Sequence, residues 1–267
     1  MRKLIVVSVE RMPGMKPWTN GLPETFQPLP GLPLLVLVGV TGVGKSTTLS
    51  SLEQLGVRFS VLPNRREVTD AVMIEPLAGS PVSDREERFR LTARYRETHP
   101  GGMAQALASL AVDLNHWTSP LLFDGLRGLD EVRYATEHLP LARFVVLGAP
   151  DMVRVRRLLG RADHFDRVVT TGEEAGGQRL LAQLRALEGV REVFEEDALE
   201  QLAALPGEGI DRADVLGKVR IVVSERRHYD PRSAQEWLEH LPPRRALILD
   251  TAAFSATDVA RRIQEWL

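Results

Sequence analysis

The sequence predicts an α/β fold in which helices cover both faces of a parallel sheet, in three layers, with an all-helical insertion late in the chain. Three observations carry this. Short apolar segments alternate with helical ones along most of the 267 residues, the rhythm that joins parallel strands through crossover helices. Leu34–Val38 is apolar at every position, as strands buried on both faces are. From Gly172 to Pro206 the alternation stops and only helical patterning remains.

Taken in order, Leu4–Val9 reads as a first strand. Met12 to Pro33, with prolines at 13, 17, 23, 28, 30 and 33, reads as an irregular surface loop. Strand Leu34–Val38 is followed by a turn, Gly39 to Gly44, and a helix from Ser46 to Leu55 stopped by Gly56. Phe59–Leu62 is a short strand. Ser83 with Glu86 has the form of a capping box opening a helix to Thr98. His99-Pro100-Gly101-Gly102 breaks it, and a second helix is expected from Met103 to Leu114. Strand Leu121–Phe123, helix Asp130–His138, strand Phe144–Leu147 and helix Met152–Leu159, capped by Asp151 and Gly160, continue the alternation. The insertion holds helices Gln178–Leu187 and Arg191–Leu205. The rhythm then resumes with strand Lys218–Ser224, helix Ser233–His240, strand Ala246–Leu249 and a terminal helix from Ala256 behind the cap Ser255.

Composition narrows the chemistry. A net charge of −2 gives no overall basic field for nucleic acid or anionic membrane. The chain has no cysteine, which excludes disulfides, thiolate metal sites and cysteine nucleophiles. The apolar run Leu4–Val7 is too short for a signal-peptide core, and no run approaches the ~20 apolar residues of a membrane span, so a cytoplasmic protein without a membrane partner is expected. Lysine occurs only at positions 3, 16, 45 and 218, whereas arginine is abundant. Lys45 is therefore a rare residue in a telling place.

Gly39-Val40-Thr41-Gly42-Val43-Gly44-Lys45-Ser46 matches the phosphate-loop pattern G-x-x-x-x-G-K-[ST], with an apolar strand before it and a helix after it. The glycines let successive backbone N–H groups turn toward phosphate oxygens at a helix amino terminus. Residues 39–47, Thr47 included, are the expected nucleotide site, with Lys45 on the β and γ phosphates and Ser46 on Mg²⁺. Leu121-Leu122-Phe123-Asp124 is an apolar strand ending in a carboxylate, the form of a second Mg²⁺-holding element. ATP and Mg²⁺ are the cofactors this pair implies.

Leu122-Phe123-Asp124-Gly125-Leu126-Arg127 resembles the Asp-Gly-x-Arg element of P-loop nucleoside and nucleotide kinases, and Leu247–Thr251 with Ser255, Val259 and Ile263 is similar to the last strand and helix of cytidylate and dephospho-coenzyme A kinases. The resemblance covers residues 34–62, 119–167 and 245–267, about half the chain. It lacks the extra Pro of adenylate kinases between Asp-Gly and Arg, and residues 1–33 and 172–243 have no counterpart. It implies a P-loop NTPase fold of the kinase type. Residues 1–33 are then an N-terminal strand and loop, 34–171 a core with acceptor arm and lid, 172–217 the insertion, and 218–267 the completion of the core. The family places lid arginines where this chain has Arg154, Arg157 and Arg161, spaced along one helical face, with Arg156 pointing elsewhere. Arg127 joins Lys45 and Asp124 in the catalytic set. In Pro63–Asp70, where such kinases bind the acceptor, Arg65 or Arg66 suits an acceptor phosphate and Asp70 a base or ribose edge.

The function this implies is transfer of the γ-phosphoryl group of ATP to a small acceptor, a nucleotide or nucleoside. GTPases carry Asn-Lys-x-Asp, which is absent, and ATPase motors follow the strand Asp with Glu, where this chain has Gly125. The alternative is a P-loop ATPase acting in regulation or nucleic-acid repair, its insertion holding a protein or nucleic-acid partner.

Overall fold

The computed structural model describes residues 12–160 and 177–267. The expected strand Leu4–Val9 and Arg161 lie outside the described residues. Five parallel strands, β3 (Leu34–Val38), β4 (Ser60–Val61), β6 (Leu121–Leu126), β7 (Ala142–Gly148) and β8 (Ala246–Asp250), form the main sheet in the order β4-β6-β3-β7-β8. The phosphate-loop strand β3 is central, with Leu34 level with Leu121 on one side and Ala142 on the other.

Alternation along the strands builds two cores. Leu34, Val36, Val38, Phe123, Phe144 and Val146 face α5 (Gly102–Ala108), α6 (Leu129–His138) and α11 (Pro231–Glu239). Leu35, Leu37, Leu122, Val145 and Leu147 face α1 (Lys45–Gln54) and α12 (Ala256–Trp266), where Leu52, Val259 and Ile263 meet them. Both faces are apolar because both are covered, hence the unbroken apolar run of β3. The fold is therefore a three-layer α/β fold with a parallel sheet.

A third core stands apart in α7 (Asp151–Leu159), α8 (Gly177–Arg185), α9 (Glu196–Ala204) and α10 (Arg212–Tyr229). Here the structure corrects the expected strand Lys218–Ser224, which lies inside α10. Its valines invite a strand assignment. Val215, Val219, Val222 and Val223 recur at helical spacing, however, and all are buried against α7 and α8 in that third core. The proposed division at 217/218 thus falls within one helix.

The expected loop Met12–Pro33 is also more regular than its prolines suggest. It supplies β1 (Met15–Pro17) and β2 (Phe26–Pro28), which flank β5 (Leu110–Asp113) antiparallel in a small second sheet. Pro17 and Pro28 sit at the ends of edge strands, where a missing N–H is tolerated. Met12, Met15 and Leu29 are buried beneath it. The same sheet corrects the helix expected to run from Met103 to Leu114, since α5 ends at Ala108 and the chain continues as β5. The cap of α4 (Arg85–Thr98) is Asp84, which accepts from the Glu87 amide, one residue later than the Ser83 expected. Among the described residues no helix is long and apolar enough to cross a membrane.

Candidate active site

The phosphate loop runs from the carboxyl end of β3 into α1, whose amino-terminal cap is Gly44. Its turns need residues without a side chain. At Gly39 a Cβ would lie 2.7 Å from the Leu147 carbonyl oxygen, and at Gly42, with φ at +86°, 3.1 Å from the Arg154 carbonyl oxygen. Lys45 Nζ donates to the Gly39 carbonyl at 2.8 Å and stands 3.7 Å from Asp124 Oδ1. That closeness follows from β3 and β6 being neighbours with Leu37 level with Asp124. Asp124 Oδ1 is buried and makes no hydrogen bond. Ser46 and Thr47 are exposed on the first turn of α1.

A cavity of about 320 Å³ opens beside the loop, between Gly44, Thr47 and Arg157 on one side and Thr251 and Phe254 on the other. Arg157 donates to Thr251 Oγ1 at 2.8 Å and to the Thr251 carbonyl at 2.7 Å, and Thr251 Oγ1 donates to the Val43 carbonyl at 2.7 Å. The end of β8 is thereby tied to the loop.

On the other side, α2 (Arg65–Val68), a π-helical turn (Thr69–Ile74), α3 (Glu75–Ala78) and α4 form an arm. A second cavity, of about 190 Å³, lies within it against Arg65, Met73, Arg88, Phe89, Arg96 and Tyr229. Arg65 donates to the Gly125 carbonyl at 2.6 Å and forms a two-pronged pair with Glu131 at 2.8 and 2.6 Å. Burial alone disfavours the Arg65 charge, but Glu131 outweighs it and holds the guanidinium above its ordinary pKa. Glu131 is held below the usual carboxylate range for the converse reason, Arg65 and then Arg96 overcoming its burial. Asp70 pairs with Arg88 at 2.5 Å, and Arg66 is exposed.

Arg154 and Arg157 share the face of α7 turned to the loop, with Arg156 exposed. Arg154 is not an outward-facing lid residue. It is 1% exposed, donates to the Thr41 carbonyl at 2.9 Å, and pairs with Asp151 and Glu225, each at 2.6 Å. Arg127, directly after β6, pairs with the same Glu225 at 2.9 Å. The Tyr229 ring lies 5.5 Å from the guanidiniums of both Arg127 and Arg65.

Glu225 is the residue that sequence reasoning missed. Read at helical period, Val215, Val219, Val222, Glu225 and Tyr229 form one stripe, and a carboxylate in an apolar stripe is the available signal. The strand assignment concealed it.

No protein-family model and no curated protein matches the chain. Among solved structures it is similar to TT1252 from Thermus thermophilus, at 15% identity over 88% of this chain and 95% of that one, with a TM-score of 0.44. A sulfotransferase from Alicyclobacillus acidocaldarius is similar at 11% identity over 87% and 79%, with a TM-score of 0.40. A sugar kinase from Janibacter sp. follows at 16% identity over 88% and 94%, with a TM-score of 0.34.

Proposed function

We propose that the protein is an ATP-dependent phosphotransferase that moves the γ-phosphoryl group of ATP to a small acceptor of the nucleotide or nucleoside class. The observation that carries this is that two separate cavities are present, one starting at Gly44 and Thr47 of the loop, the other in the arm at Arg65, which bonds to the Gly125 carbonyl. Hydrolysis needs one such cavity. Transfer between two substrates needs both.

In this reading the base of ATP lies against Arg157 and Phe254, and the amides of the loop, Thr47 included, receive the phosphates. The donor set also fits Mg²⁺. A buried Asp124 oxygen without a hydrogen bond and the exposed hydroxyl of Ser46 are what an ion that keeps several waters and relies on phosphate oxygens requires. When bound, that ion neutralises charge on the β and γ phosphates. Lys45 and Arg127 supply further positive charge, with Arg157 and Arg161 completing the set. Arg154 acts one step removed, by gripping Thr41.

The acceptor sits in the arm, its planar part against Phe89 and Tyr229 and its anionic part toward Arg88 or Arg65, with the exposed Arg66 next in α2. The acceptor oxygen bonds to the γ phosphorus as the bond to the β,γ-bridging oxygen breaks, and ADP leaves. An acceptor phosphate is already ionised and needs only alignment. A hydroxyl acceptor passes its proton to a carboxylate, Asp124 or Asp70. The test is ADP release from ATP and Mg²⁺ across nucleosides, nucleotides and sugars, with a no-acceptor control. A rise of at least about tenfold with one acceptor supports transfer, because a closed site aligns water poorly. Equal ADP release with and without every acceptor refutes it.

A further inference from the structure

We infer that Glu225 is a positioning residue for phosphoryl transfer, the link through which the helical unit holds Thr41 and Arg127 at the phosphate loop. The inference rests on the phosphotransferase reading above. Glu225 is 7% exposed, and its carboxylate meets four donors. Thr41 gives its amide at 3.0 Å and its hydroxyl at 2.5 Å, while Arg127 and Arg154 approach at 2.9 and 2.6 Å. Arg154 in turn donates to the Thr41 carbonyl, so the Thr41 residue is gripped at both its N–H and its C=O. The next residue of α10, Arg226, closes the circuit by pairing at 2.9 Å with Asp151, the second partner of Arg154.

Packing of α10 does not ask for this acid. The stripe it belongs to is valine at 215, 219 and 222, so the helix's packing is met by aliphatic residues, and it is the guanidiniums facing position 225 that call for a carboxylate. What the carboxylate adds is charge placement. Three guanidiniums, Arg127, Arg154 and Arg226, surround two carboxylates, Glu225 and Asp151, and leave one positive charge in excess beside the loop. Arg127 Nε is buried and makes no hydrogen bond. Lys45 donates to the Gly39 and Val40 carbonyls and pairs with Asp124. Losing Glu225 therefore frees Thr41 within the loop and releases Arg127, which the phosphotransferase reading sets beside the transferring phosphoryl group.

The test uses the full chain with Glu225→Ala, Glu225→Gln, Arg127→Ala and the Glu225→Ala/Arg127→Ala pair. Amide exchange of residues 39–46 without nucleotide, calorimetric binding of Mg·ATP, and kcat with the best acceptor are measured together. Glu225→Ala is expected to speed exchange of the loop at least about tenfold, as a tether lost from a buried amide does. kcat should fall on the order of 10²-fold, by a larger factor than the Kd for Mg·ATP weakens, the split expected of a transition-state effect. The double variant should be no slower than Glu225→Ala alone, because the two act as a unit. Glu225→Gln, nearly the same shape, carries the same comparisons if the alanine variant does not fold, with a smaller loss. Unchanged loop exchange, or a Kd that weakens while kcat holds, overturns the inference. A wild-type protein that binds Mg·ATP but transfers to no acceptor refutes the phosphotransferase reading, and the exchange result then judges the Glu225 link by itself.

Discussion

One methyl group at Gly42 measures how tightly the phosphate loop is wedged against α7. The residue holds φ at +86°, and an added Cβ would sit 3.1 Å from the Arg154 carbonyl oxygen and 3.2 Å from its Cα. Both are backbone atoms of a helix whose inner face is buried, so neither yields as a flexible side chain would. The left-handed backbone costs an alanine about 1–2 kcal/mol, stiffening of the unfolded chain returns about 0.4–1, and overlap in a packed interior adds about 1–3. Gly42→Ala should therefore lose about 3 kcal/mol from the centre of these ranges. Gly56 is the control, with φ at +77° and nothing within 4 Å of its Cβ position. Gly56→Ala carries only the backbone cost, a net loss of about 1 kcal/mol. Urea unfolding of both variants gives the difference, about 2 kcal/mol, free of the shared backbone contribution. The overlap is relieved by displacing either α7 or the loop, so Gly42→Ala should also weaken Mg·ATP binding while Gly56→Ala leaves it unchanged. Equal stability and equal ATP affinity in the two variants would refute the wedge.

Lys45→Ala is expected to abolish turnover or greatly weaken Mg·ATP binding with the unfolding midpoint nearly unchanged, since the side chain faces the site; undiminished turnover sinks the nucleotide site itself. Arg157→Ala should weaken Mg·ATP binding about tenfold through loss of its cavity wall and of two hydrogen bonds to Thr251, whereas exposed Arg156→Ala should be mild; calorimetry compares them. Glu131→Gln leaves the buried Arg65 charge poorly matched and should cost about 3 kcal/mol or more at neutral pH. Because the folded pKa of Glu131 is depressed, its contribution is complete above the ordinary glutamate range and disappears as pH falls through the folded value. Urea titrations from neutral to acid pH should show the gap between wild type and variant closing, and a gap independent of pH contradicts the pairing.

Leu34–Ser46 was readable because burial and chemistry are written there in adjacent residues: an apolar run followed by the glycines and lysine of the loop. The same holds for Asp124, a carboxylate directly after an apolar run, although β6 continues past it to Leu126. Residues 218–224 misled because valine favours strands in isolation, while the tertiary setting, α7 and α8 with buried faces to cover, decided for helix. Between Ala108 and Leu110 only Ser109 separates helix from strand, and no glycine or proline announces the change. The pairings of Arg65 with Glu131 and of Arg154 with Glu225 join residues far apart in the chain. Arginine is common enough here that spacing alone does not choose its partner.

The register of β8 on β7, Phe144 level with Ala246, has a kinetic consequence. These neighbours are about a hundred residues apart, so their pairing waits on a long chain closure that no local hairpin assists. The helical unit shortens that search, since α8–α10 bury their own apolar core and draw α10 back against α7 beside the end of β7. Folding is therefore expected to proceed with the helical unit as an early compact intermediate and β8 docking late. Until it docks, β7 presents an unpaired parallel edge, and the species most prone to associate with its own kind is a nearly complete molecule missing one strand.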